Sequence, residues 1–103
     1  MAPEFVTIAK TDDVKPGELA AFEVAGVRVA VANVEGSFYA FGDICPHAGC
    51  SLAEGDLDGT TVTCPCHGSE FDVTSGKVLR RPALESVESY RIRVEQGALR
   101  VDV

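Results

Sequence analysis

The chain has no long apolar run and no export signal at its start. Although 46% of its 103 residues are hydrophobic, no window approaches the roughly eighteen apolar residues that a membrane-spanning helix requires. The first residues, MAPEFVTIAK, contain no basic segment followed by an apolar stretch, so no secretory signal is predicted. We therefore expect a cytoplasmic protein without a membrane partner. In that reducing compartment, clustered cysteines are more often metal ligands or redox groups than structural disulfides.

Basic residues are absent from the middle of the chain. Between Arg28 and Lys77 there is no lysine or arginine, whereas seven of the sixteen acidic residues fall in this stretch. The nine acidic residues outside it are balanced by nine basic ones, so the net charge of −7 resides in residues 29–76. Such an acidic chain is a poor partner for nucleic acid. The acidic stretch either keeps the chain soluble or forms a docking face for a basic partner.

Helical periodicity is also missing, and at most one turn is expected, around residues 52–55. Short runs rich in β-branched and aromatic residues, separated by glycine and proline turns, instead predict strands. These runs lie at 4–9, 19–24, 27–33, 37–41, 60–64, 70–73, 86–94 and 98–103. Asp58-Gly59 predicts a hairpin turn before the fifth run. No linker divides the chain, so we expect one domain, residues 1–103. The predicted fold class is all-β, a small antiparallel sandwich or partly open barrel.

All four cysteines and both histidines fall in two similar runs, CPHAGC and CPCHGS. Each run follows a predicted strand, so both can approach one metal centre. The prolines restrict φ and the glycines allow close backbone approach. Two thiolates and two imidazoles suit a tetrahedral zinc ion, although the spacing differs from that of usual zinc knuckles. They also suit a two-iron, two-sulfide cluster in which histidines replace two cysteines on one iron. The candidate ligands are Cys45, His47, Cys64 and His67.

The two runs resemble the cluster loops of Rieske proteins. The flanking segments GSFYAFGDICPHAG, SLAEGDLDG, FDVTSGKVLRRPA and YRIRVEQGALRVDV are similar to soluble Rieske-type ferredoxins along essentially the whole chain. The resemblance implies one [2Fe–2S] cluster, held by a cluster-binding subdomain at about residues 43–83. It implies that Cys45 and Cys64 hold the inner iron, while His47 and His67 hold the outer iron through Nδ1 and expose their other edges.

The same resemblance gives roles to residues around the ligands. Cys50 and Cys66 match the cysteines that join the two loops by a disulfide in Rieske subunits of cytochrome complexes. Ser69 matches a hydroxyl that donates to a bridging sulfide, whereas Phe71 replaces a tyrosine that donates to a ligand cysteine. Pro82 matches the proline loop that covers the cluster. With one donor missing and carboxylates nearby, we expect a potential in the lower half of the Rieske range of about −150 to +300 mV.

The sequence shows no catalytic constellation, because no third histidine remains for a mononuclear iron and no nucleophile–base pair is visible. The resemblance implies a one-electron carrier between an NAD(P)H-dependent flavoprotein reductase and a terminal aromatic-ring-hydroxylating oxygenase. We expect a monomer. Two alternatives remain open: a Rieske subunit of a larger oxidoreductase of the arsenite oxidase or nitrite reductase type, and a zinc-stabilised binding module.

Overall fold

The computed structural model describes residues 5–46, 49–66, 68–81 and 83–103, and within them it is built from antiparallel strands. Six strands form the larger sheet, in the order β1-β10-β9-β4-β3-β2. β1 also contacts β2, so this sheet nearly closes into a barrel. Its strands are β1 (Val6–Lys10), β2 (Leu19–Val24), β3 (Val27–Val34), β4 (Ser37–Gly42), β9 (Ser89–Glu95) and β10 (Ala98–Asp102).

Four short strands form a second sheet in the order β5-β6-β7-β8. They are β5 (Asp56–Asp58), β6 (Thr61–Thr63), β7 (Glu70–Asp72) and β8 (Val78–Arg80). This sheet carries one of the two Cys/His runs, at 64–69, as the connection between its two central strands. One 3₁₀ turn, Leu52–Glu54, follows the other run, and a second, Thr11–Asp13, follows β1.

The strands predicted at the centre of the larger sheet are confirmed nearly to the residue. β2, β3 and β4 pair as an antiparallel meander, as the turns at Gly26 and at Glu35-Gly36 predicted. The predicted strand at 86–94 begins only at Ser89, and the turn before β6 lies at Gly59-Thr60, one residue later than expected. β5 and β8 were not predicted, because three-residue strands containing aspartate or arginine have little intrinsic strand preference and form by pairing.

The core consists of two clusters that share β3. Its valines at 29 and 31 pack inside the barrel with Leu99 and Val101. Its alanines at 30 and 32 face the second cluster, which lies between the two sheets and contains Phe41, Leu52 and Phe71. Since successive strand residues point to opposite faces, β3 is buried on both sides, which explains its unbroken apolar run. Small alanines on one face let the second sheet approach closely. Within the described residues, no helix has the length and apolar character needed to cross a membrane.

Candidate metal centre

The two Cys/His runs fold into loops with the same backbone hydrogen bonds. In loop 1, residues 45–50, the Cys45 N–H donates to the Cys50 carbonyl at 2.9 Å and the Gly49 N–H donates back to the Cys45 carbonyl at 2.8 Å. In loop 2, residues 64–69, the Cys64 N–H donates to the Ser69 carbonyl at 2.8 Å and the Gly68 N–H donates to the Cys64 carbonyl at 3.1 Å.

Both loops depend on a glycine in the left-handed region. Gly49 has φ of +72° and Gly68 has φ of +78°, a conformation that side chains with a Cβ rarely adopt. The repeat visible in the sequence is therefore a repeat of local structure, and it places Cys45 and Cys64 at equivalent positions. Loop 1 follows β4 in the chain, and loop 2 connects β6 to β7.

The first cysteine of each loop is buried and carries a free thiol. Cys45 is 1% exposed and Cys64 is 2% exposed. Both belong to the core cluster between the two sheets, so the fold brings together two thiols that are distant in sequence. A buried pair of free thiols on matched loops suits thiolate ligation of a metal centre, because burial excludes water from the bonds between metal and sulfur.

The other two cysteines form a disulfide. Cys50 ends loop 1 and Cys66 lies in loop 2, and their Cα atoms are 6.5 Å apart. The four cysteines therefore divide into one reduced, buried pair and one oxidised pair that joins the loops. This is the division that the resemblance implies. His47, His67 and Pro82 lie outside the described residues.

Comparisons with known proteins show the family of the chain. The Rieske [2Fe-2S] domain family matches residues 4–91. The chain belongs to the Rieske [2Fe–2S] domain family. Its cofactor is a Rieske-type [2Fe–2S] cluster and not the zinc ion of the alternative. The two free thiols and the two histidines of the same loops match the donor set of such a cluster.

Several relatives of the chain are named as ferredoxins. The biphenyl dioxygenase ferredoxin subunit of Pseudomonas sp. (strain KKS102) is 39% identical over 99 residues, which cover 95% of this chain and 91% of the relative. Among solved structures, the ferredoxin of carbazole 1,9a-dioxygenase from Nocardioides aromaticivorans IC177 has a TM-score of 0.92 at 32% identity, covering 95% of this chain and 96% of that one. A chain from a complex of reduced oxygenase and oxidized ferredoxin in carbazole 1,9a-dioxygenase has a TM-score of 0.90 at 30% identity, covering 98% of this chain and 94% of that one.

Ser69 ends loop 2 and Phe71 lies in the strand that follows it, and both are fully buried. The Ser69 hydroxyl oxygen accepts a hydrogen bond from the Ala83 N–H at 2.9 Å, which ties the segment after β8 to loop 2. That bond does not use the hydroxyl proton, so the Ser69 hydroxyl keeps its donor for a further partner. Phe71 is fully buried in the same core cluster as Cys45 and Cys64, and it brings no hydroxyl to that environment.

Asp43 is a structural residue of the Rieske site that the sequence did not single out. This fully buried carboxylate accepts hydrogen bonds from the Arg28 guanidinium at 2.8 Å, the Ser51 hydroxyl at 2.9 Å and the Ala53 N–H at 2.9 Å. Its backbone carbonyl accepts a bond from the Leu52 N–H at 2.7 Å. Asp43 therefore joins both ends of loop 1 to β3. The hydrogen bond and the charge of Asp43 also raise the pKa of Arg28 above its usual value, so this guanidinium stays charged.

Replacing Asp43 by asparagine is expected to lower the free energy of unfolding by about 2 kcal/mol, because hydrogen bonds to a charged group are replaced by weaker or mismatched ones. Asp58→Asn removes the same charge from an exposed position on β5 and is the matched control. Urea denaturation of the two variants measures the difference. Equal stability of both variants would show that the Asp43 bonds do not hold loop 1.

Proposed function

We propose that this chain is a one-electron carrier of a multicomponent oxygenase system. It takes electrons from an NAD(P)H-dependent flavoprotein reductase and passes them to a terminal aromatic-ring-hydroxylating oxygenase, and it is not itself an enzyme. The observation that carries the proposal is the pair of matched loops with buried, free thiols at Cys45 and Cys64 in a chain of the Rieske family. Support for the oxygenase as partner comes from the relatives, which are named as ferredoxins of dioxygenases.

Four residues hold the cluster in this proposal: Cys45, His47, Cys64 and His67. The cluster supplies a site that gains and loses one electron, and two neutral imidazole ligands raise its potential above that of an all-cysteine cluster. The residues of this chain keep that site fixed. Burial of Cys45 and Cys64 keeps water from the thiolates, and the Cys50–Cys66 disulfide limits movement of the loops.

The proposal includes residues 1–103 as one Rieske domain that acts as a monomer in the cytoplasm. Its two redox partners are met one at a time, because both must reach the same two loops to exchange an electron with the cluster.

Substitution of Phe71 by tyrosine is expected to raise the reduction potential by tens of millivolts. A hydroxyl at this buried position can donate to a thiolate ligand, and such donors stabilise the more negative, reduced state. A hydrogen bond stronger by about 1 kcal/mol in the reduced state corresponds to about 40 mV for a one-electron couple. A spectroelectrochemical titration measures the shift, with Phe38→Tyr, at a partly buried position against the barrel core, as the control. An unchanged or lowered potential in Phe71→Tyr would contradict this role of position 71.

Reconstitution tests the proposed function. The purified chain, a flavoprotein reductase and a ring-hydroxylating oxygenase are combined with NADH and an aromatic substrate, and product is measured with and without the chain. We expect turnover that requires the chain and saturates with its concentration. Purification in fixed stoichiometry with a large catalytic subunit, without such turnover, would instead assign the chain to a larger oxidoreductase of the arsenite oxidase or nitrite reductase type.

A further inference from the structure

The end of the four-stranded sheet that carries loop 2 has opposite charges at its two edges. At this end the residues pair in one row across the strands, in the order Asp56, Thr63, Glu70 and Arg80. β5 and β8 are three strand spacings apart, or about 14 Å. Loop 2 connects the two central strands and therefore lies between an acidic edge and a basic edge.

The acidic edge consists of Glu54 and Asp56, both exposed. Within the described parts of the chain, neither carboxylate takes part in a salt bridge. Both belong to the long stretch without a basic residue, so their negative charge is not neutralised by a neighbour in sequence.

The basic edge is formed by the described residues of the segment 77–84, whose sequence, KVLRRPAL, has three basic residues and no acidic one. We use the name basic flank for its exposed residues Leu79, Arg80, Arg81 and Leu84. The two leucines are 51% and 77% exposed, respectively. A single exposed leucine is ordinary, but two of them in the same short segment as two exposed arginines give this edge both apolar and cationic groups, a mixture found at protein interfaces.

The arginines of the basic flank are available to a partner. Arg80 contacts Glu70 at 3.3 Å, but its side chain is 71% exposed, so this surface pair is weak and easily exchanged. For Arg81, no carboxylate of the described residues lies within salt-bridge distance. The Ala83 N–H bond to Ser69 holds the segment against loop 2, next to the cluster ligand Cys64 of the proposed function.

We infer that the basic flank binds a redox partner whose docking surface presents carboxylates around an apolar socket. Complementary charge at the flank then orients that partner beside loop 2. The inference rests on the proposed carrier function.

Two small haem proteins serve as probes in the test. Cytochrome b5 has a haem edge ringed by carboxylates, and cytochrome c has one ringed by lysines. The chemically reduced chain is mixed with each protein at low ionic strength, and the rate of haem reduction is followed by stopped-flow absorption. Arg80→Gln/Arg81→Gln is compared with Lys10→Gln/Arg91→Gln, which removes the same charge from exposed positions on the six-stranded sheet.

We expect the basic-flank variant to reduce cytochrome b5 about fivefold more slowly than the wild type, whereas the control variant changes this rate less than about twofold. Cytochrome c, with its ring of lysines, is the control partner, and its reduction is not expected to be slowed in the basic-flank variant. Unchanged absorption and circular dichroism spectra verify that each variant is folded and holds its cluster.

Three results would overturn the inference. Equal rates of cytochrome b5 reduction by the basic-flank and control variants, with normal electron transfer by the wild type, would overturn the inference and leave the carrier function intact. A wild type that transfers electrons to neither haem protein would count against the carrier function as well. A concentration-dependent dimer that dissociates in Arg80→Gln/Arg81→Gln would assign the basic flank to a second copy of the chain.

Discussion

Replacement of Cys64 by serine is expected to give a colourless protein that contains almost no iron or acid-labile sulfide. A serine hydroxyl does not ionise in the pH range where a thiolate ligand forms, and iron–sulfur clusters depend on thiolates. Cys64 is buried on loop 2, where no other described cysteine has a free thiol to replace it. Cys45→Ser is expected to act in the same way from loop 1. Absorption spectra and chemical assays of iron and sulfide measure the loss.

Cys66→Ser provides the matched control, since it changes the same residue type only two positions away in the same loop. It should retain the cluster, because Cys66 is bonded to Cys50 and holds no metal. Cluster loss in both variants, or retention in Cys64→Ser, would contradict the division of the four cysteines.

The double substitution Cys50→Ser/Cys66→Ser is expected to lower the free energy of unfolding of the chain by about 3 kcal/mol. The disulfide spans a sequence separation of 16 residues, and closing a loop of this size restricts the unfolded chain by roughly that amount. The folded state should keep its cluster, since the buried pair Cys45 and Cys64 is untouched. Urea denaturation, followed by absorption and circular dichroism, measures both effects.

Wild-type protein treated with a strong dithiol reductant serves as the comparison for this variant. It should approach the lower stability of the double variant, because both lack the bond between the loops. Equal stability of untreated wild type and double variant would show that the disulfide contributes nothing to the fold.

The strands that the sequence predicted well are those whose own residues favour a strand. β3 is a continuous run of valine and alanine between two glycine turns, and its pairing with β2 and β4 follows from short hairpins. β5 and β8 have no such signal, since they exist only because β6 and β7 offer them partners. The pairing of β1 with β10 could not be predicted either, because a pairing between the two ends of the chain leaves no local sequence pattern.

The candidate site shows the same limit. The cysteines and histidines can be identified as candidate ligands by residue type and spacing. The equivalence of loops 1 and 2 follows from their similar sequences. Asp43 could not be distinguished from the other acidic residues around it. Only the fold shows that Arg28, from a neighbouring strand, and Ser51, eight residues later, converge on its carboxylate. Likewise, the charges of Asp56 and Arg80 are visible in the sequence, but their places in one row require the strand order of the sheet.

Ligation by two histidines is the central claim, because His47 and His67 distinguish a Rieske cluster from an all-cysteine one. Pulsed electron paramagnetic resonance of the reduced protein tests this directly, since it detects nitrogen nuclei bound to the paramagnetic centre. Uniform ¹⁵N labelling of histidine alone assigns the coupled nuclei. The expected result is two strongly coupled histidine nitrogens, with one lost or replaced in each of His47→Cys and His67→Cys. A reduced cluster without coupled histidine nitrogen would contradict the claim.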